Sequence, residues 1–80
     1  MLSDDQIIRR ALKGDNPVFR ELVRRYEKGM FRLALRMLSR REDAEDAVQE
    51  AFLRSYQNLS AYSGEGKFQA WLRRACAFAA

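Results

Sequence analysis

The run from Asp43 to Leu59, DAEDAVQEAFLRSYQNL, restricts the fold of this chain more than any other stretch. At helical spacing it has two sides. Ala44, Val48, Ala51, Phe52, Ser55 and Leu59 fall at i, i+4, i+7, i+8, i+11 and i+15, a stripe of small and apolar residues suited to packing against neighbours. Asp46, Gln49, Glu50 and Leu53 fall at i, i+3, i+4 and i+7 on a different side. Two carboxylates, an amide and one large aliphatic are more than an idle solvated surface requires. The plainer reading is an ordinary amphipathic helix whose acidic first turn suits its dipole; the sharper one is a strip that meets a partner.

Eighty residues make one domain, residues 1–80, with no room for a second core. Apolar content of 48% and charged content of 32% are globular values. The net charge of +4 is unevenly spread. Residues 16–41 carry eight basic and two acidic side chains, residues 42–59 five acidic and one basic, and the last twenty-one residues three basic and one acidic. Such polarity implies two different partner surfaces, not one uniformly cationic tail. The single cysteine, Cys76, excludes an internal disulfide and fits a reducing cytoplasm. No run approaches the roughly 20 apolar residues of a membrane span. The opening MLSDDQII has acids where a signal peptide needs bases. The expectation is a soluble, cytoplasmic chain with no membrane partner.

Helix punctuation is clear. Ser3 with Gln6 forms a capping-box pattern that opens a short helix over roughly 4–13, facing inward with Ile7, Ile8, Ala11 and Leu12. Gly14 suits a left-handed stop, and Asp15-Asn16-Pro17 reads as a cap plus first-turn proline. Punctuation accounts for every residue here. The second helix, roughly 17–38, keeps Phe19, Leu22, Val23, Tyr26, Met30, Leu33, Ala34 and Met37 at 3-4 spacing. Gly29 inside it should cost about 1 kcal/mol relative to alanine, an expense that close packing would explain. Arg20, Arg24, Arg25, Lys28, Arg32 and Arg36 occupy much of the other side. They can line phosphates or form a solvated face with partners such as Glu21 to Arg25, the reading we favour.

Ser39-Arg40-Arg41 breaks the chain before the third helix, which ends near Asn58. The loop from Ser60 to Gly66 holds two serines and two glycines around Tyr62. That ring either folds back onto the core or offers a stacking platform to an unpaired base. A fourth helix begins near Lys67, with Phe68, Trp71, Leu72, Ala75 and Ala79 inward and Lys67, Gln69, Arg73, Arg74 and Ala77 outward or flanking. Helical register continues to Ala80 without a cap, the pattern expected of a truncated chain. Four helices on short links, one short, one long and two of medium length, imply a compact all-α bundle.

Catalysis has little to work with. Histidine is absent, removing the commonest general base and metal ligand. Cys76 lies in an alanine-rich stretch where a buried, inert thiol is expected. SGEG lacks the spacing and the lysine of a phosphate loop. Acidic pairs such as Asp43/Asp46 and Glu42/Glu45 are explained by the helix dipole without a divalent ion. The chain is read as a non-enzyme without catalytic residues, metal or cofactor.

The order DAEDAVQEAFLRSYQNL, a short loop, then GKFQAWLRRA, preceded by a short helix ending in KGD and by FRELVRRYEKGMFRLALRML, resembles region 2 of extracytoplasmic-function (ECF) sigma factors of the sigma-70 family. The likeness runs from about Asp4 to Ala75. It implies a four-helix domain that binds core RNA polymerase and the promoter −10 element. The polar face of the third helix would meet the coiled coil of the polymerase's largest subunit, at Asp46, Gln49, Glu50 and Leu53. Carboxylates and an amide pair with arginines there, and Leu53 anchors. The loop and fourth helix would melt the duplex and hold the non-template strand. The matching positions are Tyr62, Ser63 and Gly64 in the loop and Lys67, Phe68, Trp71, Arg73 and Arg74 beyond it. Lys67, Arg73 and Arg74 would hold phosphates, which positions a strand without reading its sequence.

The sequence departs from the family pattern in two respects. Phe78 stands where many relatives have an asparagine of the base pocket, and the second, −35-binding domain of such factors is not in this chain. The resemblance also implies an anti-sigma protein as a further partner class. Two other uses of the fold stay open at this point: a protein–protein module, binding an anti-sigma factor or regulator, that no longer reads DNA, and a basic duplex binder.

Overall fold

In the computed structural model, which describes the backbone of residues 2–62 and 64–79 and side chains as far as Cys76, the capping box forms as the sequence implies. Ser3 Oγ accepts the Gln6 N–H at 3.2 Å while Gln6 Oε1 accepts the Ser3 N–H at 2.8 Å. Helix α1 follows over Asp4–Leu12, and the chain turns at Gly14, whose φ is +104°. Pro17 then sits in a short 3-10 turn, Asn16–Val18, so α2 begins two residues later than the spacing suggests and runs Phe19–Leu38. Ser39 ends it in the left-handed region at φ +63°, and α3 covers Arg41–Gln57. A second 3-10 turn, Leu59–Ala61, leads to α4 over Phe68–Ala79. Among the described residues there is no strand. None of the described helices is long and apolar enough to cross a membrane. The architecture is therefore the all-α bundle that the periodicity implies. Ser63 and the side chain of Phe78 lie outside the described residues.

Helix α3 is the hub, packing against α2 on one side and α4 on the other. Its whole expected stripe is buried: Ala44, Val48, Ala51, Phe52 and Ser55, with Leu59 just past the helix end, and Ala47 joins them. Methyl-sized residues let neighbouring backbones come close. Ser55 fits the same edge because its hydroxyl donates to the Phe52 carbonyl at 2.8 Å, and among the described residues no buried side-chain polar atom lacks a partner. From α2 come Phe19, Leu22, Met30 and Ala34; from α4 come Phe68, Leu72 and Cys76. The Cys76 thiol is buried, and burial pushes its pKa up, which keeps it protonated.

Three inward assignments from the spacing are corrected. Leu12 is 51% exposed and Met37 44% exposed. Each lies in the last turn of its helix, just before the chain turns at Gly14 or Ser39. Gly29 does not mark close packing: it is exposed, and a Cβ added there meets nothing within 4 Å. The solvated reading of the α2 cations holds in part. Glu21 does pair with Arg25, at 3.8 Å, but Arg25 is mostly buried and reaches elsewhere. Its guanidinium binds Asp4 Oδ1 at 2.9 Å and the Leu2 carbonyl at 2.6 Å. The Tyr26 hydroxyl donates to the other Asp4 oxygen. One carboxylate thus ties the first turn of α1 to the middle of α2.

Two outcomes follow. Gly29→Ala should raise stability by about 1 kcal/mol, measured by chemical denaturation, since the helix gains propensity and nothing clashes. Burial, then the bond to Asp4 and its charge, push the Tyr26 hydroxyl pKa up to about 12, against a partial pull downward from Arg25. The fold therefore favours the neutral phenol, and that stabilisation is complete below the unfolded tyrosine pKa of about 10. It disappears as pH rises to about 12. Melting temperature should fall across this window, with a shallower fall in Tyr26→Phe.

Candidate polymerase and nucleic-acid surfaces

With Ala44, Ala51 and Ser55 turned inward, α3 has one outward side, and Asp46, Gln49 and Leu53 are exposed on it. Leu53 is 53% exposed, the most open of the large hydrophobics among the described residues. Glu50, beside them, is half-buried and accepts the Arg54 Nε–H at 2.9 Å. The four positions share one face, as the spacing implies. The pairing leaves Glu50 partly neutralised until a competing cation arrives. Beside this strip, α2 and α3 enclose an open groove of about 700 Å³ lined by Phe31, Arg32, Arg41, Glu45, Val48 and Gln49 among others. Arg41 lies over the Phe31 ring, 5.8 Å from its centre.

The other surface is at the start of α4. Four rings meet there. Phe68, 1% exposed, lies 5.8 Å from Tyr26, 5.7 Å edge-on from Tyr62 and 5.9 Å from Trp71. Tyr62 closes the set at 5.6 Å from Trp71. The structure thus resolves the alternative left open for Tyr62: its ring folds back onto the core, 9% exposed, and its hydroxyl donates to Asp5 Oδ1 at 2.9 Å. Burial and that hydrogen bond push its pKa up, so it stays a neutral donor. Tyr62 and Phe68 therefore form the floor of this surface. What faces outward is the half-buried Trp71 with Gly64, Lys67, Arg73 and Arg74, all exposed.

Gly64 and Gly66 have φ of +76° and +72°, a region other residues enter only with strain, which is why this turn needs glycine. Lys67 lies 3.6 Å from Glu65, an exposed pair that contributes little. A shallow groove of about 360 Å³ runs between α3 and α4, lined by Arg54, Ser55, Asn58, Trp71, Arg74 and Ala75. Periodicity did not single out Arg54 or Asn58 as surface candidates. Their signal lies in the packing of α3 on α4, which brings them beside Trp71 and Arg74. Asp5 was also missed, because its partners are 57 and 61 residues away. Among the described residues no cluster of three His, Cys, Asp or Glu is placed to hold a metal.

One helical core thus carries two surfaces of different charge. Residues 22–79 match Sigma-70 region 2, and the chain belongs to that family as a region 2 domain of the ECF type. It is 39% identical over 67 residues to the ECF RNA polymerase sigma factor SigW of Bacillus subtilis, covering 84% of this chain and 36% of that protein. It is 37% identical over 73 residues to the ECF RNA polymerase sigma-E factor of Haemophilus influenzae, covering 91% of this chain and 38% of that protein. The RNA polymerase sigma-H factor of Pseudomonas aeruginosa is 34% identical over 71 residues, 89% of this chain and 37% of that protein. The chain thus spans a little over a third of the length of these relatives. No solved structure gives a significant match.

Proposed function

We propose that this chain is a non-enzymatic transcription-initiation module that binds core RNA polymerase through α3 and holds the melted −10 strand on α4. The observation that carries the reading is the exposed Leu53 set among Asp46, Gln49 and Glu50, opposite an edge already filled by α2 and α4. An apolar side chain within a charged strip suits a partner surface with arginines around a small apolar pocket. The relatives' names as RNA polymerase sigma factors support the same partner. At the α4 end, Lys67, Arg73 and Arg74 suit phosphates and the open side of Trp71 suits an unpaired base. Tyr62 and Phe68 act from beneath, fixing the indole. Work on polymerase in the cytoplasm follows from this reading. An anti-sigma partner on the same helices belongs to it as well, while Phe78, which cannot make an asparagine's hydrogen bond, argues against the family's usual base pocket.

Glu50→Arg should abolish capture of core polymerase while leaving the melting profile near that of the parent chain; undiminished capture would remove the α3 interface. For the DNA surface, a single-stranded −10 oligonucleotide should bind with about fourfold loss for each doubling of salt, as expected for three phosphate contacts on a single strand. Duplex DNA should bind less well. Binding that ignores salt, or none at low salt, would instead favour the protein–protein module, for which the inward-turned Tyr62 ring is the supporting observation.

A further inference from the structure

Asp5 is a half-buried carboxylate in the first turn of α1 that neither surface uses. A position in that turn suits the helix dipole, but dipole complementarity does not need the contacts Asp5 makes. Oδ1 accepts the Tyr62 hydroxyl at 2.9 Å and Oδ2 accepts the Gly66 N–H at 3.1 Å. Both ends of the segment entering α4 therefore close on one side chain from the far end of the chain. Between them lies Gly64, and Lys67 follows directly. The stretch 64–66, with two glycines at positive φ, has wide freedom when untied. Ordering it only on binding would subtract from affinity.

We propose that Asp5 is a positioning residue for nucleic acid, a tether that holds Tyr62 and Gly66 so that Trp71 and Lys67 meet a single strand already in place. The proposal rests on the reading of the α4 surface given above. Its chemistry gives an opposite sign to the simplest electrostatic expectation. A carboxylate near a strand of phosphates repels it, so removing the charge should strengthen binding if charge is all that Asp5 contributes. A tether predicts the reverse. In Asp5→Asn the amide can accept only one of the two hydrogen bonds, because its nitrogen donates.

The experiment compares the 80-residue chain with Asp5→Asn, Tyr62→Phe and the double variant, using a fluorescent −10 oligonucleotide at fixed salt. Amide exchange of Gly64 and Gly66 is followed without DNA. The expected result is a loss of about fivefold in affinity for Asp5→Asn. The salt slope should not change, and the Gly66 amide should lose its protection relative to the parent chain. The two losses should be less than additive in the double variant, since both cut the same tie. If Asp5→Asn does not fold, Tyr62→Phe, which keeps the ring packing and the Gly66 bond, should still lose affinity at an unchanged salt slope, and equal or tighter binding by it overturns the proposal as well. Equal or tighter binding by Asp5→Asn overturns the proposal, as does a Gly66 amide in the parent chain that exchanges as fast as that of Gly64. A parent chain that binds no oligonucleotide overturns the reading of the α4 surface and this use of Asp5 with it. The exchange data separate that outcome from a missing tether.

Discussion

The structure depends on how closely two helices can approach a third. Ala44, Ala47, Ala51 and Ser55 give α3 an edge with almost no side-chain bulk, and all four are buried. Large residues supply the filling from outside: Leu22 and Met30 from α2, Phe68 and Leu72 from α4. Small facing large is how a few helices reach native packing density in a chain this short. The same choice determines where α3 can face solvent. With both flanks occupied, Asp46, Gln49 and Leu53 have one direction left. Here a packing constraint decides which side of α3 meets solvent, and the exposed leucine follows from it.

The second support comes from α1, whose two adjacent carboxylates do different work. Asp4 reaches Arg25, Tyr26 and thereby the middle of α2, while Asp5 reaches Tyr62 and Gly66 beside α4. A nine-residue helix is too short to be stable by itself. Burial of Ile7, Ile8 and Ala11 seats it, and the carboxylates determine how it sits. Each has two or more donors around it, the condition under which a partly buried charge is tolerated. The aromatic cluster lies between these two anchors. Tyr26 and Tyr62 point their hydroxyls to neighbouring residues of α1 while their rings flank Phe68.

How much of this could be read from the sequence depends on the range of the interaction. The capping box, the turn at Gly14 and the α3 stripe involve residues within a few positions of each other, and all form as the spacing implies. The outward strip of α3 was legible for the same reason, since one helical period places Asp46, Gln49, Glu50 and Leu53 together. Leu12 and Met37 follow the apolar period yet point to solvent, because periodicity alone does not show what lies beside a helix's last turn. Gly29 suggested a close approach that no neighbour makes. The opening of α1 read as helix punctuation alone, and the partners of its carboxylates across 21 to 61 residues have no local signature. Tyr62 was ambiguous for a related reason: a loop ring turns in or out according to whether a distant acceptor exists, and Asp5 is that acceptor.

The two surfaces share one rigid interior, and this bears on how they work together. Helix α3 offers its polar strip on one side, and its buried edge packs against α4, whose Trp71 and Arg74 line the groove with Arg54 and Asn58. Glu50 and its ion-pair partner Arg54 thus stand at the junction, one in the strip and the other in the groove. A cation that competes for Glu50 releases Arg54, one turn further along the same helix. In a partly exposed pair the exchange costs little, so a cation taken up on the strip frees a guanidinium beside the α3–α4 groove. Charge taken up on the outward side of α3 is in this way linked to charge beside Trp71 and Arg74 without any movement of the helices.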